Sequence, residues 1–161
     1  MGGSGWNPNP PTAPPSTSQS RSEEKTGAVL RRVLIIEDNE ADVFLIQRVL
    51  EATELPLAFS FVHDGQEAIR FFDEADNSPE RPCPELVILD INLPKKQGGD
   101  VLKHMRNTSR CAMAHVIAVS TSDSPRDREQ MSQLGADAYF HKPSEFDEFM
   151  KLADLVKSIL D

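Results

Sequence analysis

Short runs of apolar residues alternate along the chain with segments whose apolar residues recur every three or four positions. Uninterrupted runs of branched residues are typical of parallel strands buried on both faces, whereas the wider spacing indicates amphipathic helices. Because strand and helix alternate five times, the pattern predicts an α/β domain with a doubly wound parallel sheet. The predicted strands include residues 33–36, 58–62, 86–89, 116–119 and 138–140.

Two of the predicted helices carry local signals at their ends. Ser124 and Pro125 predict the start of the fourth helix, since Ser is a favourable N-cap and Pro fits the first helical turn. Gly135 predicts the end of the same helix. Ser144, with Asp147 three residues further on, predicts the N-cap of the fifth helix.

Composition separates the first 27 residues from the rest of the chain. They contain five of the twelve prolines and four of the eight glycines, which predicts a disordered tail over 1–27 before a domain over 28–161. The charges of the tail cancel, so the formal net charge of −9 falls on the domain. An acidic domain argues against binding to nucleic acid or to an anionic membrane. Since no apolar run is long enough to cross a membrane and the N-terminus lacks the apolar core of a signal peptide, we expect a cytoplasmic protein.

The two cysteines, Cys83 and Cys111, lie far apart in the sequence. They show neither CxxC spacing nor a neighbouring pair of His residues, so the sequence indicates neither a zinc site nor a disulfide framework. In a cytoplasmic protein we therefore expect two reduced, partly buried thiols.

Polar side chains follow four of the predicted strands. Glu37 and Asp38 follow the first, Asp90 ends the third, Ser120 ends the fourth, and Lys142 follows the fifth. Parallel strands end at one edge of the sheet, which is where doubly wound sheets bind ligands. Three carboxylates without Cys or His favour Mg²⁺. Taken alone, however, the acidic pair also suits a helix start, and Lys142 also suits a simple ion pair with Asp90.

Together these groups are suited to phosphoryl transfer. A cation on one side, with the Lys142 ammonium and the Ser120 hydroxyl on the other, would surround a phosphoryl group with complementary charge. Because a carboxylate can form a covalent phosphoryl intermediate, Asp90 is the predicted acceptor.

Four motifs, in order, resemble the receiver domain of bacterial two-component response regulators over about residues 30–161. The resemblance implies a flavodoxin-like (βα)5 fold with a five-stranded parallel sheet in the order 2-1-3-4-5. It also implies a single-domain regulator that receives a phosphoryl group from a sensor histidine kinase and signals to a downstream protein. The motifs are residues 35–39, 87–94 with Gly98, 119–120 and 135–143.

The resemblance also implies a role for each residue at the reaction centre. Asp90 matches the phosphoaccepting aspartate, and Lys142 matches the lysine of the family pattern. Ser120 matches the switch residue that moves toward the phosphoryl group, and Tyr139 matches the aromatic residue whose rotamer follows that movement. The implied Mg²⁺ site comprises Glu37, Asp38, Asp90 and the main-chain carbonyl of Asn92.

Further expectations concern partners and activity. Residues 37–42 and 92–96 are similar to those of regulators that are paired with phytochrome-type histidine kinases. The last helix has more apolar positions than one core-facing stripe needs, which fits deeper burial, a partner surface, or a homodimer through the fourth helix, fifth strand and fifth helix. As a signalling protein, the chain is expected to catalyse only its own phosphorylation and autodephosphorylation.

Two other functions are compatible with parts of this pattern. One is a receiver-like binding module that works without phosphorylation, although the complete set of acidic residues, Ser120 and Lys142 speaks against it. The other is a Mg²⁺-dependent aspartyl-phosphate hydrolase. Such enzymes usually carry a second Asp where this chain has Asn92, and they need a substrate cap for which the chain has no room.

Overall fold

The computed structural model of the protein describes residues 30–160. The prediction of a disordered tail over 1–27 therefore concerns residues outside the described part of the chain. Within residues 30–160, no helix is both long and apolar enough to cross a membrane.

Five parallel strands form one sheet in the order β2-β1-β3-β4-β5, which confirms the predicted doubly wound topology. The central strand β3 is buried along its whole length, as its uninterrupted apolar run predicts. The strands are β1 Arg31–Ile36, β2 Leu57–Val62, β3 Leu86–Asp90, β4 His115–Ser120 and β5 Ala138–His141.

Helices cover both faces of the sheet. Helices α2, α3 and α4 pack against one face, where Phe72 is fully buried, while α1 and α6 pack against the other. Burial of a large apolar side chain such as Phe72 stabilises the fold by about 1.5–3 kcal/mol. The helices are α1 Glu40–Glu51, α2 Gly65–Asn77, α3 Gly98–Arg106, α4 Pro125–Gln133, α5 Phe146–Phe149 and α6 Lys151–Leu160.

The predicted ends of α4 are confirmed, but the predicted cap of the last helical element is wrong. The Ser124 hydroxyl accepts hydrogen bonds from two amides of the first turn of α4, and Gly135 has a φ of +106° beyond its end. The short helix α5 joins α6 at Met150, and together they form the predicted fifth element. Its N-cap is Glu145 rather than Ser144, because the first helical hydrogen bond runs from the amide of Phe149 to the carbonyl of Glu145.

Cys83 and Cys111 form a disulfide, so the expectation of two reduced thiols is wrong. Cys83 lies just before β3 and Cys111 just before β4, and these strands are neighbours in parallel register. The two segments that enter them therefore run side by side, which brings the two Cα atoms to 5.4 Å. Spacing along the sequence contains no sign of this proximity, because it depends on the order of the strands.

Candidate metal centre

Three carboxylates meet at the edge of the sheet where β1 and β3 end. Glu37, Asp38 and Asp90 each offer an oxygen that lies within 4.8 Å of the other two. The pairing of β1 with β3 places the residues after β1 beside the end of β3. Glu37 and Asp90 are 1% and 5% exposed, whereas Asp38 is open to solvent. Oxygen donors that open to water on one side suit Mg²⁺, which keeps several of its waters when it binds a protein.

Lys142 brings the opposite charge to this acidic group. Its Nζ atom lies 2.8 Å from Glu37 Oε1, 2.9 Å from Asp42 Oδ2 and 3.4 Å from Asp90 Oδ2. Burial would lower the pKa of the ammonium, but the hydrogen bond with Glu37 and the charge of Asp90 outweigh it and raise the pKa above its usual value. Lys142 therefore stays charged. A hydrogen bond of 2.7 Å from its amide to the carbonyl of Ser120 fixes the main chain of Lys142 beside the end of β4.

The surroundings of the Glu37 carboxyl disfavour its charged form. Burial, followed by its hydrogen bond and charge interaction with Asp90, raises the pKa of Glu37 to about 7, although Lys142 acts in the opposite direction. One ammonium thus does not fully offset the burial of Glu37 and its interaction with Asp90. A divalent cation would supply the missing positive charge, so the chemistry of the donor set fits a metal ion.

Ser120 lies beside Asp90 at the end of β4 and is fully buried. Its Oγ accepts a hydrogen bond of 2.9 Å from the amide of Ser122 and one of 3.3 Å from the side-chain nitrogen of Asn92. The amide of Asn92 in turn donates to Asp90 Oδ1 at 2.9 Å. Asn92 thus connects the predicted acceptor with the predicted switch residue, while the role of its carbonyl as a metal ligand stays a prediction.

Tyr139 lies on β5, and Ser122 connects it to Ser120 through hydrogen bonds to both residues. Its hydroxyl donates to the main-chain carbonyl of Ser122 at 2.9 Å, and the guanidinium of Arg128 lies 4.7 Å from its ring centre. The structure therefore brings together all the predicted site residues except Tyr139, which contacts the segment after β4 instead.

Asp42, the second partner of the Lys142 ammonium, is not among the predicted site residues. Asp42 lies in the first turn of α1, which begins at the same edge of the sheet as the acidic pair. The available signal was its position in the first turn of a helix that begins two residues after the acidic pair. An acid in the first turn also stabilises the helix itself, so its presence there does not by itself predict a contact with Lys142.

Comparison with known proteins gives a consistent result. The family model for the response regulator receiver domain matches residues 33–154. The response regulator Rcp1 of Synechocystis is 28% identical over 126 residues, which is 78% of this chain and 86% of that protein. The phosphorylated cyanobacterial phytochrome response regulator RcpA superposes with a TM-score of 0.72 at 27% identity, covering 81% of this chain and 93% of that one. The Mn²⁺-bound form of Rcp1 superposes with a TM-score of 0.70 at 27% identity, covering 80% and 92%.

Proposed function

The chain belongs to the response regulator receiver domain family, and from this membership we propose that it accepts a phosphoryl group on Asp90 with the help of Mg²⁺. The observation that carries the proposal is the position of Asp90, which lies within 4.8 Å of Glu37 and Asp38 and 3.4 Å from the Lys142 ammonium. The signalling family gives no support to the alternative of a hydrolase that acts on other substrates.

In the proposed reaction, a carboxylate oxygen of Asp90 attacks the phosphorus of a phosphohistidine on a sensor histidine kinase. The new O–P bond forms as the P–N bond breaks, and the imidazole of the kinase leaves. Mg²⁺ bound by Glu37, Asp38, Asp90 and the carbonyl of Asn92 would neutralise charge on the phosphoryl oxygens. Lys142 and Ser120 then donate hydrogen bonds to the phosphoryl group.

Phosphorylation at Asp90 would change the surface of the domain through Ser120. When the Ser120 side chain turns toward the phosphoryl group, its Oγ gives up the hydrogen bond from the Ser122 amide. The freed segment carries the Ser122 carbonyl that holds the Tyr139 hydroxyl, so Tyr139 is released at the same time. The surface of α4, β5 and the final helical element thereby switches between two states, and a downstream protein or a second copy of the chain reads the difference.

A phytochrome-type histidine kinase is the partner that the comparisons favour. The structures of RcpA and Rcp1 that superpose on the chain come from response regulators, the first of them named as a phytochrome regulator.

The proposal is tested by incubating the protein with acetyl phosphate and measuring its intact mass. With Mg²⁺, we expect the mass of one HPO₃ to be gained, and with excess EDTA we expect no gain. The variant Asp90→Asn should gain nothing, whereas the exposed control variant Asp154→Asn should behave as the wild type. A gain of equal size in Asp90→Asn would overturn the proposal, and so would an absence of any gain in the wild type.

A further inference from the structure

The disulfide between Cys83 and Cys111 lies at the opposite end of the sheet from Asp90, at the start of β3 and β4. We propose that this cysteine pair is a reversible thiol–disulfide exchange site, which a small disulfide such as oxidised glutathione closes and a small thiol opens. The proposal goes beyond the phosphoryl-transfer function, since it concerns a second and separate covalent modification.

The backbone positions the two cysteines for a bond. β3 and β4 pair with Leu86 opposite His115, and the amide of His115 donates to the carbonyl of Glu85 at 2.9 Å. The loops that precede these strands consequently lie in contact. The Cα separation of 5.4 Å is within the usual range for disulfides of about 4.4–6.8 Å, so closing the bond requires no displacement of the sheet.

Polar contacts that do not involve sulfur hold the same two loops together. The Arg110 side chain, next to Cys111, lies within hydrogen-bonding distance of three main-chain carbonyls at the end of α2 and in the loop that contains Cys83. In return, the Asp76 carboxylate accepts hydrogen bonds from the amides of Ser109 and Arg110 at 2.9 and 2.7 Å. Because these contacts are independent of the bond, the reduced protein keeps the two thiols side by side at a high effective concentration.

The exposure of the two cysteines determines which of them reacts first with the external disulfide. Cys83 is half-buried, whereas Cys111 is 1% exposed. The Cys83 thiolate attacks the external disulfide, forming a mixed disulfide and releasing one thiol. The Cys111 thiolate then attacks the sulfur of Cys83, forming the internal bond and releasing the second thiol. The two protons of the protein thiols are taken up by the two released thiolates, so two electrons pass to the small disulfide.

Oxidation stabilises the fold without altering the phosphorylation site. The bond joins residues separated by 28 positions, and such a loop restricts the unfolded chain. We expect the oxidised protein to melt about 10 °C above the reduced protein. The rate of phosphorylation at Asp90 should stay within about twofold between the two forms, because neither cysteine contacts the acidic site.

The test is a titration of the full chain with mixtures of oxidised and reduced glutathione, followed by trapping of free thiols with iodoacetamide and intact mass measurement. We expect both thiols to disappear together as the oxidised fraction rises, and to return when dithiothreitol is added. The variant Cys111→Ala should stop at the mixed disulfide on Cys83, whereas Cys83→Ser should retain a free Cys111. The variant Arg110→Gln should close the internal bond more slowly.

Three results would overturn the proposal. The first is two free thiols in the wild type at every glutathione ratio. The second is loss of thiols through bonds between chains, and the third is a melting temperature that is the same for the oxidised and reduced forms. None of these results bears on whether Asp90 accepts a phosphoryl group, so the two proposals fail independently.

Discussion

The hydroxyl of Tyr139 donates a hydrogen bond of 2.9 Å to the main-chain carbonyl of Ser122. The amide of Ser122 donates in turn to Ser120 Oγ, also at 2.9 Å, so the two main-chain groups of one residue connect the buried hydroxyl with the aromatic side chain. We therefore expect a movement of Ser120 to change the environment of Tyr139, because Ser122 is hydrogen-bonded to both residues.

The first prediction uses Tyr139 as a probe, since it is the one tyrosine in the chain. In protein that contains fluorotyrosine, we expect phosphorylation to shift the single fluorine resonance. The variant Ser120→Ala should still accept the phosphoryl group but should lose most of this shift, because the hydroxyl that turns toward the phosphoryl group is gone. The exposed neighbour Thr121 supplies the control, and Thr121→Ala should keep the full shift. An undiminished shift in Ser120→Ala would show that the two residues are not coupled.

A second prediction concerns Lys142, whose side chain is 7% exposed. The variant Lys142→Met should lower the free energy of unfolding by about 3 kcal/mol in the absence of metal, because it leaves Glu37 and Asp90 without their shared cation. Saturating Mg²⁺ should restore part of this loss. Urea unfolding with and without Mg²⁺ provides the measurement.

Lys151 provides a matched control for the same substitution. Its ion pair with Glu148 is exposed, and exposed ion pairs contribute little to stability. Lys151→Met should therefore leave the urea midpoint close to that of the wild type. If Lys142→Met also leaves it unchanged, the buried ion pairs do not stabilise the fold as described.

The third prediction concerns the metal ion. At a concentration one hundred times its dissociation constant, Mg²⁺ should raise the free energy of unfolding by about 2.7 kcal/mol. Asp38→Asn should weaken Mg²⁺ binding by roughly tenfold or more without unfolding the protein, since Asp38 is an exposed member of the acidic group. Calorimetric titration gives both affinities, with Asp154→Asn as the control. Equal Mg²⁺ affinities for Asp38→Asn and the wild type would show that Asp38 does not bind the metal ion.

A fourth prediction concerns pH and Asp64, the N-cap of α2. The hydrogen bond from the amide of Glu67 lowers the pKa of the Asp64 carboxyl, and burial opposes it only in part. A lowered pKa means that the contribution of Asp64 to stability is complete above the pKa of the unfolded chain and is lost as the pH falls through the native value.

Melting temperatures of the wild type and Asp64→Ala across this range test the prediction. The variant should melt a few degrees lower at neutral pH, and the difference should shrink in acid. A difference that stays constant down to the lowest pH would mean that the Asp64 charge is not what stabilises the helix.

Much of the fold could be predicted because the apolar pattern reports burial directly. The runs around Ile35 and Ile88 are continuous, as strands covered by helices on both faces require, and the structure buries both residues. The gathering of Glu37, Asp90, Ser120 and Lys142 followed from the same pattern, because parallel strands end at one edge. The ends of α4 could be predicted because caps depend on neighbouring residues alone.

The apolar pattern alone could not predict features that depend on which strands and helices are neighbours, and the strand order was implied only by the family resemblance. The Cys83–Cys111 bond requires β3 beside β4, and the contact between Lys142 and Asp42 requires the first turn of α1 beside the end of β5. The predicted N-cap at Ser144 is wrong for a different reason. Two adjacent polar residues, Ser144 and Glu145, could each start the helix, and the main chain begins its hydrogen bonds at the second.

Chemical identification of the modified residue tests the assignment of Asp90 as the phosphoryl acceptor. Borohydride reduces an acyl phosphate to a primary alcohol, so a phosphorylated aspartate becomes homoserine in the peptide that contains it. After treatment with acetyl phosphate and Mg²⁺, we predict homoserine at position 90, and none when EDTA is present. Homoserine at Asp38 or at another acid instead, or the complete absence of homoserine from a protein that has gained the mass of HPO₃, would contradict the assignment.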